Sequence, residues 1–167
     1  LTLILFLTAN ILGAFDLEIA APEQHPDMIW LGHNNPDCDS LGAAFGAAAL
    51  YGGNVRICGT PGPEAQFLLR EAGLPLPPTV EALAPTVIIG LVDHNQVLQS
   101  APGLAAEQVA CIIDHHGQTA DSWRPTQPIA IDCRPWQAAS AIVADRFLRC
   151  HRPIPRPIAV MLLGGIL

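Results

Sequence analysis

The chain has 167 residues, half of them hydrophobic and only 14% charged, with a net charge of −7. That is long enough for one domain with a substantial core and too apolar for a disordered segment. The acidic balance excludes a broad basic surface of the kind that holds nucleic acid.

Leu1 to Leu12 is strongly apolar until Asp16 and Glu18 interrupt it. The run is too short to span a bilayer, follows no basic residue and precedes no clear cleavage site. A packed helix or the tail of an upstream segment is expected, and residues 1–27 are set aside as an apolar extension without an assigned role. Met28 to Leu31 reads as a short buried strand, followed by a loop from Gly32 to Asp39. Ser40 is placed as the cap of an Ala-rich helix that runs to about Tyr51 and closes on Gly52-Gly53. Val55 to Cys58 is a second strand. After a turn at 59–63, Glu64 to Ala72 is helical with Gly73 as its stop, and Leu74 to Pro78 is a proline-rich connection. Val87 to Val92 is the clearest strand, a continuous apolar run. Val109 to Ile113 and Pro128 to Ile131 are the fourth and fifth. Gln137 to Cys150 is a helix, and a last one starts near Ile154, with 149–157 as the connection between them. Continuous apolar strands alternating with helices predict an α/β fold: a doubly wound, mainly parallel five-stranded sheet with helices on both faces.

Five cysteines (Cys38, Cys58, Cys111, Cys133 and Cys150) form an odd set without a Cys-x-x-Cys. That argues against a zinc cluster or a disulfide framework and for reduced thiols in a cytosolic protein.

Three acidic and histidine clusters stand out. His33, Asp37 and Asp39 lie in Gly-His-Asn-Asn-Pro-Asp-Cys-Asp-Ser, Asp93 and His94 in Val-Asp-His-Asn, and Asp114, His115 and His116 in Ile-Asp-His-His. Each follows a short apolar run, and the ends of parallel strands deliver side chains to a shared site. A single Asp-x-Asp is usually a turn or cap, and a single His-His a surface or core pair. Their joint occurrence at three strand ends points to a metal site with more than one ion. Asp and His suit manganese, magnesium, cobalt or zinc better than copper or iron–sulfur. A carboxylate can bridge two ions, and ions roughly 3.5–4 Å apart can share and activate a water. Bound cations would also offset part of the net negative charge.

In this order, the three motifs resemble the DHH phosphoesterase superfamily, from about Met28 to Leu167. "LVDHN" narrows the resemblance to family II inorganic pyrophosphatases and their exopolyphosphatase relatives, since nuclease-type members usually carry a different second motif. The resemblance implies His33, Asp37 and Asp93 as ligands of one ion, and Asp39, Asp93 and His115 as ligands of the other, with Asp93 bridging. It implies two manganese ions, with cobalt or magnesium as alternatives. His116 matches the histidine that faces the bridging oxygen and the phosphate, where it steadies developing charge or donates a proton. Asp114 and His94 are expected to orient ligands by hydrogen bonds, and Asn34 and Asn35 are given no chemistry.

The chain departs from the family pattern in several places. Cys38 stands where Thr is usual and is expected to make the site sensitive to oxidation. Gly117 replaces the basic residue that commonly follows the paired histidines. Gln137 replaces the Gly of a small-residue turn, putting a close phosphate contact there in doubt, and Ser140 reads as an ordinary helical residue. Residues 158–167, "IAVMLLGGIL", resemble the helix that in the family runs into a Ser-Asp-Thr carrying the remaining ligand. The expectation is therefore a DHH domain over 28–167, truncated before that ligand and before the C-terminal domain whose Lys and Arg clamp the phosphates. Arg56, Arg70, Arg124 and Arg134 are the nearby cations and are read as surface residues.

The resemblance implies a metal-dependent inorganic pyrophosphatase in full length, with this piece weak or inactive by itself. The alternatives are an exopolyphosphatase acting on short polyphosphate, a DHH-type nucleotide phosphodiesterase, and a non-catalytic metal-binding fragment. A small phosphate substrate, no nucleic acid, no membrane, a homodimer and a cytoplasmic location complete the expectation.

Overall fold

The structure is a computed structural model and describes residues 23–167. The apolar run Leu1 to Leu12 lies outside the described residues. Five strands, β1 (Ile29–Leu31), β2 (Asn54–Arg56), β3 (Ile89–Val92), β4 (Val109–Asp114) and β5 (Ala130–Cys133), form one sheet in the order β2-β1-β3-β4-β5. Every pairing is parallel. The helices are α1 (Cys38–Tyr51), α2 (Pro63–Ala72), α3 (Ala139–Arg149) and α4 (Arg156–Ile166), with 3-10 turns at Val97–Gln99 and Ala106–Gln108. The chain leaves β1 toward β2 on one side and returns to β3 on the other. The order of the sheet therefore reverses between β1 and β3, and their C-terminal ends part to form a crevice.

Strand residues alternate between two cores. Trp30, Val92 and Ile113 pack with α1 and α3 against Ala43, Ala47, Ile142 and Phe147. Leu31, Ile89, Leu91 and Ile112 face the other way, onto Ala101, Val80, Leu104 and Trp123. Each fully buried Leu, Ile or Phe side chain contributes about 1.5–3 kcal/mol. Helical segments thus lie on both faces, unequally: the four α-helices on one, and the short 3-10 turns with their loops on the other. Gln108 closes the thinner side by donating to the carbonyls of Ala84 (2.9 Å) and Val87 (3.3 Å). The small residues of α1 let it sit close to the sheet. Gly90 serves the same end in β3, where an added Cβ would lie 2.5 Å from the Trp30 ring. The register between β3 and β4 shifts after Ile89, which pairs with Val109, while Gly90 pairs with Cys111.

The element boundaries differ from expectation where non-local bonds decide them. α1 starts three residues early: Asp37, not Ser40, is its cap, and Asp37 Oδ1 accepts from the Ser40 amide at 2.9 Å. Ile57 leaves β2 to bridge with Thr79. β5 begins at Ala130 rather than at Pro128, which has no amide to donate. Among the described residues, no helix is long and apolar enough to cross a membrane.

Candidate metal centre

The crevice between β1 and β3 carries the three motifs. His33 follows β1, Asp37 and Asp39 cap and open α1, Asp93 follows β3, and His115 and His116 follow β4. All six line one cleft of about 340 Å³, together with Gln99, Gln137 and Gly165. Asp93 adopts a left-handed conformation (φ +59°), uncommon for a residue with a side chain and tolerated best by Asn and Asp. The turn ends β3 and holds the carboxylate in the cleft, 2% exposed.

Hydrogen bonds fix the ring nitrogens. His33 Nδ1 lies 3.0 Å from the Asn34 carbonyl and His115 Nδ1 lies 3.0 Å from the Trp136 carbonyl. A carbonyl only accepts, so each Nδ1 carries a proton and each Nε2 turns to the carboxylates. His33 Nε2 is 3.6 Å from Asp37 Oδ2 and 3.4 Å from Asp93 Oδ2. His115 Nε2 is 3.6 Å from Asp39 Oδ2 and 3.2 Å from Asp93 Oδ1. Asp93 thus offers one oxygen to each histidine. The donor atoms of His33, Asp37 and Asp93 lie within 4.8 Å of one another, as do those of Asp93, His115 and His116.

The charges ask for a cation. Asp37 and Asp93 hold His33 protonated, raising it to about 10, chiefly through hydrogen bonding to Asp37. The same bond lowers Asp37 to about 2. Burial pushes Asp93 up to about 6, and the nearby Asp39 and Asp37 charges add to it, while the His33 hydrogen bond opposes it. Imidazole nitrogens set against carboxylate oxygens at 3.2–3.6 Å are held together either by a proton or by an ion between them. The donor set, hard oxygens and borderline nitrogens around a shared carboxylate, fits two divalent cations.

The supporting residues are well defined. Asp114, fully buried, accepts through Oδ1 from the amides of His115 (2.8 Å) and His116 (3.2 Å) and from His116 Nδ1 (2.8 Å). Its Oδ2 accepts from Asn95 Nδ2, and Ser122 in turn donates to Asn95 Oδ1. This holds the His116 ring and leaves its Nε2 free. His94 is 1% exposed and bridges the Val92 carbonyl and Ser100 Oγ, at 2.9 Å each. Burial lowers it to about 4, so it stays neutral as an anchor for the turn after β3.

Several expectations meet a different environment. Burial, with the charges of Asp37, Glu64 and Asp39, raises the Cys38 thiol, which works against oxidation. Ser140 is not an ordinary helical residue: it is fully buried and bonded to Asp39. Arg56, Arg70, Arg124 and Arg134, read as surface residues, lie outside the lining of the cleft, in keeping with that reading. Arg134 instead pairs with Asp132 and Asp145. Gln99 and Gly165 join the cleft unannounced. Gly165 had a signal in the Gly-Gly pair of the last helix, whereas Gln99 reaches it only through the fold.

The model of the DHH family, N-terminal domain, matches residues 28–166. A Lactococcus lactis protein named "Probable manganese-dependent inorganic pyrophosphatase" is 30% identical over 152 residues, covering 84% of this chain and 47% of that protein. The Enterococcus faecalis protein of the same name is 32% identical over 146 residues, with the same coverage. The chain thus spans about half the length of the curated relatives it matches. Among solved structures, that of a Methanococcus jannaschii "putative family II inorganic pyrophosphatase" superposes with a TM-score of 0.74 at 27% identity, over 83% of this chain and 47% of that one. An exopolyphosphatase-related protein from Bacteroides fragilis shares the fold, with a TM-score of 0.57 at 16% identity over 84% of this chain and 45% of that one. With the family model covering everything from the first strand to the last helix, and its motifs meeting in one cleft, the chain belongs to the DHH family.

Proposed function

We propose that the protein hydrolyses inorganic pyrophosphate to two orthophosphates, using two divalent cations, manganese first among them. The carrying observation is the buried Asp93 carboxylate, one oxygen toward His33 and the other toward His115. In this reading His33, Asp37 and Asp93 hold one ion, and Asp39, Asp93 and His115 hold the other. Such an ion pair lowers the pKa of a shared water and neutralises phosphate oxygens.

The chain's own residues supply position and protons. Asp114 fixes His116 through Nδ1, so Nε2 exchanges protons with the phosphate: protonated, it donates to a developing oxyanion, and neutral, it accepts. The chain contains no lysine, and no arginine lines the cleft, whose other side chains are the neutral amides of Gln99 and Gln137. A multiply charged anion bound here therefore depends on the ions and on residues other than these. Residues 28–167 act in this reading as one DHH domain of a cytoplasmic homodimer, the dimer resting on family resemblance alone and tested by sedimentation velocity.

The test is phosphate release by the longest form of the protein, with manganese and with chelator, from pyrophosphate, tripolyphosphate and a short oligonucleotide. Manganese-dependent release from pyrophosphate, lost in Asp93→Ala, is expected. Preferential release from tripolyphosphate would move the assignment to exopolyphosphatase, release of mononucleotides to a phosphodiesterase, and ion binding without turnover to a non-catalytic module.

A further inference from the structure

We propose that Ser140 is a positioning residue for Asp39, and that Asp39 is in return the N-cap of α3. The residue before α3 is Ala138, which has no side chain able to cap it. Instead the first two amides of the helix, Ala139 and Ser140, donate to the two carboxylate oxygens of Asp39 at 2.8 and 2.7 Å. The Ser140 hydroxyl donates to the Asp39 main-chain carbonyl at 3.2 Å. One residue thus grips both the backbone and the side chain of Asp39, across 101 positions of sequence.

Two other helices make room for this grip. A Cβ added to Gly42 of α1 would lie 2.6 Å from the Ser140 hydroxyl oxygen. One added to Gly165 of α4 would collide with the same hydroxyl and sit 2.9 Å from Asp39 Cα. The hydroxyl therefore occupies the point where α1, α3 and α4 meet, and it is fully buried there.

Each Asp39 oxygen gives one lone pair to an amide and keeps another, and Oδ2 lies 3.6 Å from His115 Nε2. The paired amides, one on each oxygen, stop the carboxylate from rotating. Asp39 is aimed before any ion arrives, as the outer hydrogen bonds of metal sites commonly do. The capping pair stands without a metal. Only its use in aiming a ligand rests on the proposed function.

The experiment has two arms, both on the longest form of the protein. In chelator, amide hydrogen exchange is compared between wild type and Asp39→Ala, which removes both acceptor oxygens. The Ala139 and Ser140 amides should exchange at least about tenfold faster in the variant, with Val143 in mid-helix unchanged. Equal exchange in the two proteins would overturn the cap. In the second arm, cobalt(II) binding is followed by visible absorption in wild type and Ser140→Ala. One of two binding steps should weaken about tenfold while the other keeps its affinity. Ser140→Cys, similar in size and a weaker donor, should show the same selectivity. Equal weakening of both steps, or none, would overturn the positioning role. Failure of the wild type to bind cobalt would overturn that role together with the proposed function, and the exchange arm still decides the cap separately.

Discussion

Replacing His94 with Gln should change how stability depends on pH, by an amount the structure sets. His94 is buried between the Val92 carbonyl and Ser100 Oγ, and burial lowers it from 6.5 to about 4. The unfolded chain takes up a proton below 6.5, and the folded chain does not until about 4. The contribution of His94 is therefore complete above pH 6.5 and lost as pH falls toward 4, at about 1.4 kcal/mol per pH unit, or about 3 kcal/mol over the window. Asp93 has the opposite sign. Raised from 3.8 to about 6, it keeps a proton that the unfolded chain has released, so it favours folding as pH falls through that range. The wild-type acid limb mixes the two, and the difference between wild type and His94→Gln isolates the imidazole. Urea unfolding in chelator, at steps from about pH 4.5 to 8, should show the wild-type advantage shrinking by about 3 kcal/mol toward acid. A constant offset across pH would refute the argument.

Three further outcomes follow. Manganese at a hundred times its dissociation constant should stabilise the fold by about 2.7 kcal/mol for each ion bound. Thermal unfolding with manganese and with chelator measures this, and Asp93→Ala should abolish the difference. Gly90→Ala forces a methyl against the Trp30 ring and should cost about 1–3 kcal/mol in denaturant unfolding. No loss there would mean that Trp30 moves aside freely. His116→Ala should lower kcat by about 10²–10⁴. Unchanged manganese affinity would assign His116 to proton handling, whereas weakened affinity would make it a ligand, since it also falls within a donor cluster with Asp93 and His115.

The parts legible in the sequence were those with local causes. The apolar runs ending in Asp93 and Asp114 became β3 and β4 because buried parallel strands need no polar alternation. The crossing of three motifs at one sheet edge follows from that pattern alone. What stayed hidden depends on partners far along the chain. Gln137, expected to open the penultimate helix, precedes it, because α3 starts where Asp39 can hold its amides. Asp37 rather than Ser40 caps α1, although both types cap well, because Ser40 Oγ is engaged with the His33 amide. Gln99 enters the cleft through the turn after β3, whose path is set by the buried His94, Ser100 and Trp123 contacts and not by local propensity.

The left-handed backbone of Asp93 narrows which replacements are informative. Outside Gly, Asn and Asp, an L-residue held there costs roughly 1–2 kcal/mol of backbone strain. Alanine at this position therefore removes a carboxylate and distorts the end of β3 at the same time. Asparagine keeps the turn and one oxygen, so comparing Asp93→Asn with Asp93→Ala separates the charge from the shape of the strand end. The same constraint narrows the mutational routes open to this position: few single substitutions can leave it without first loosening the sheet that supports it.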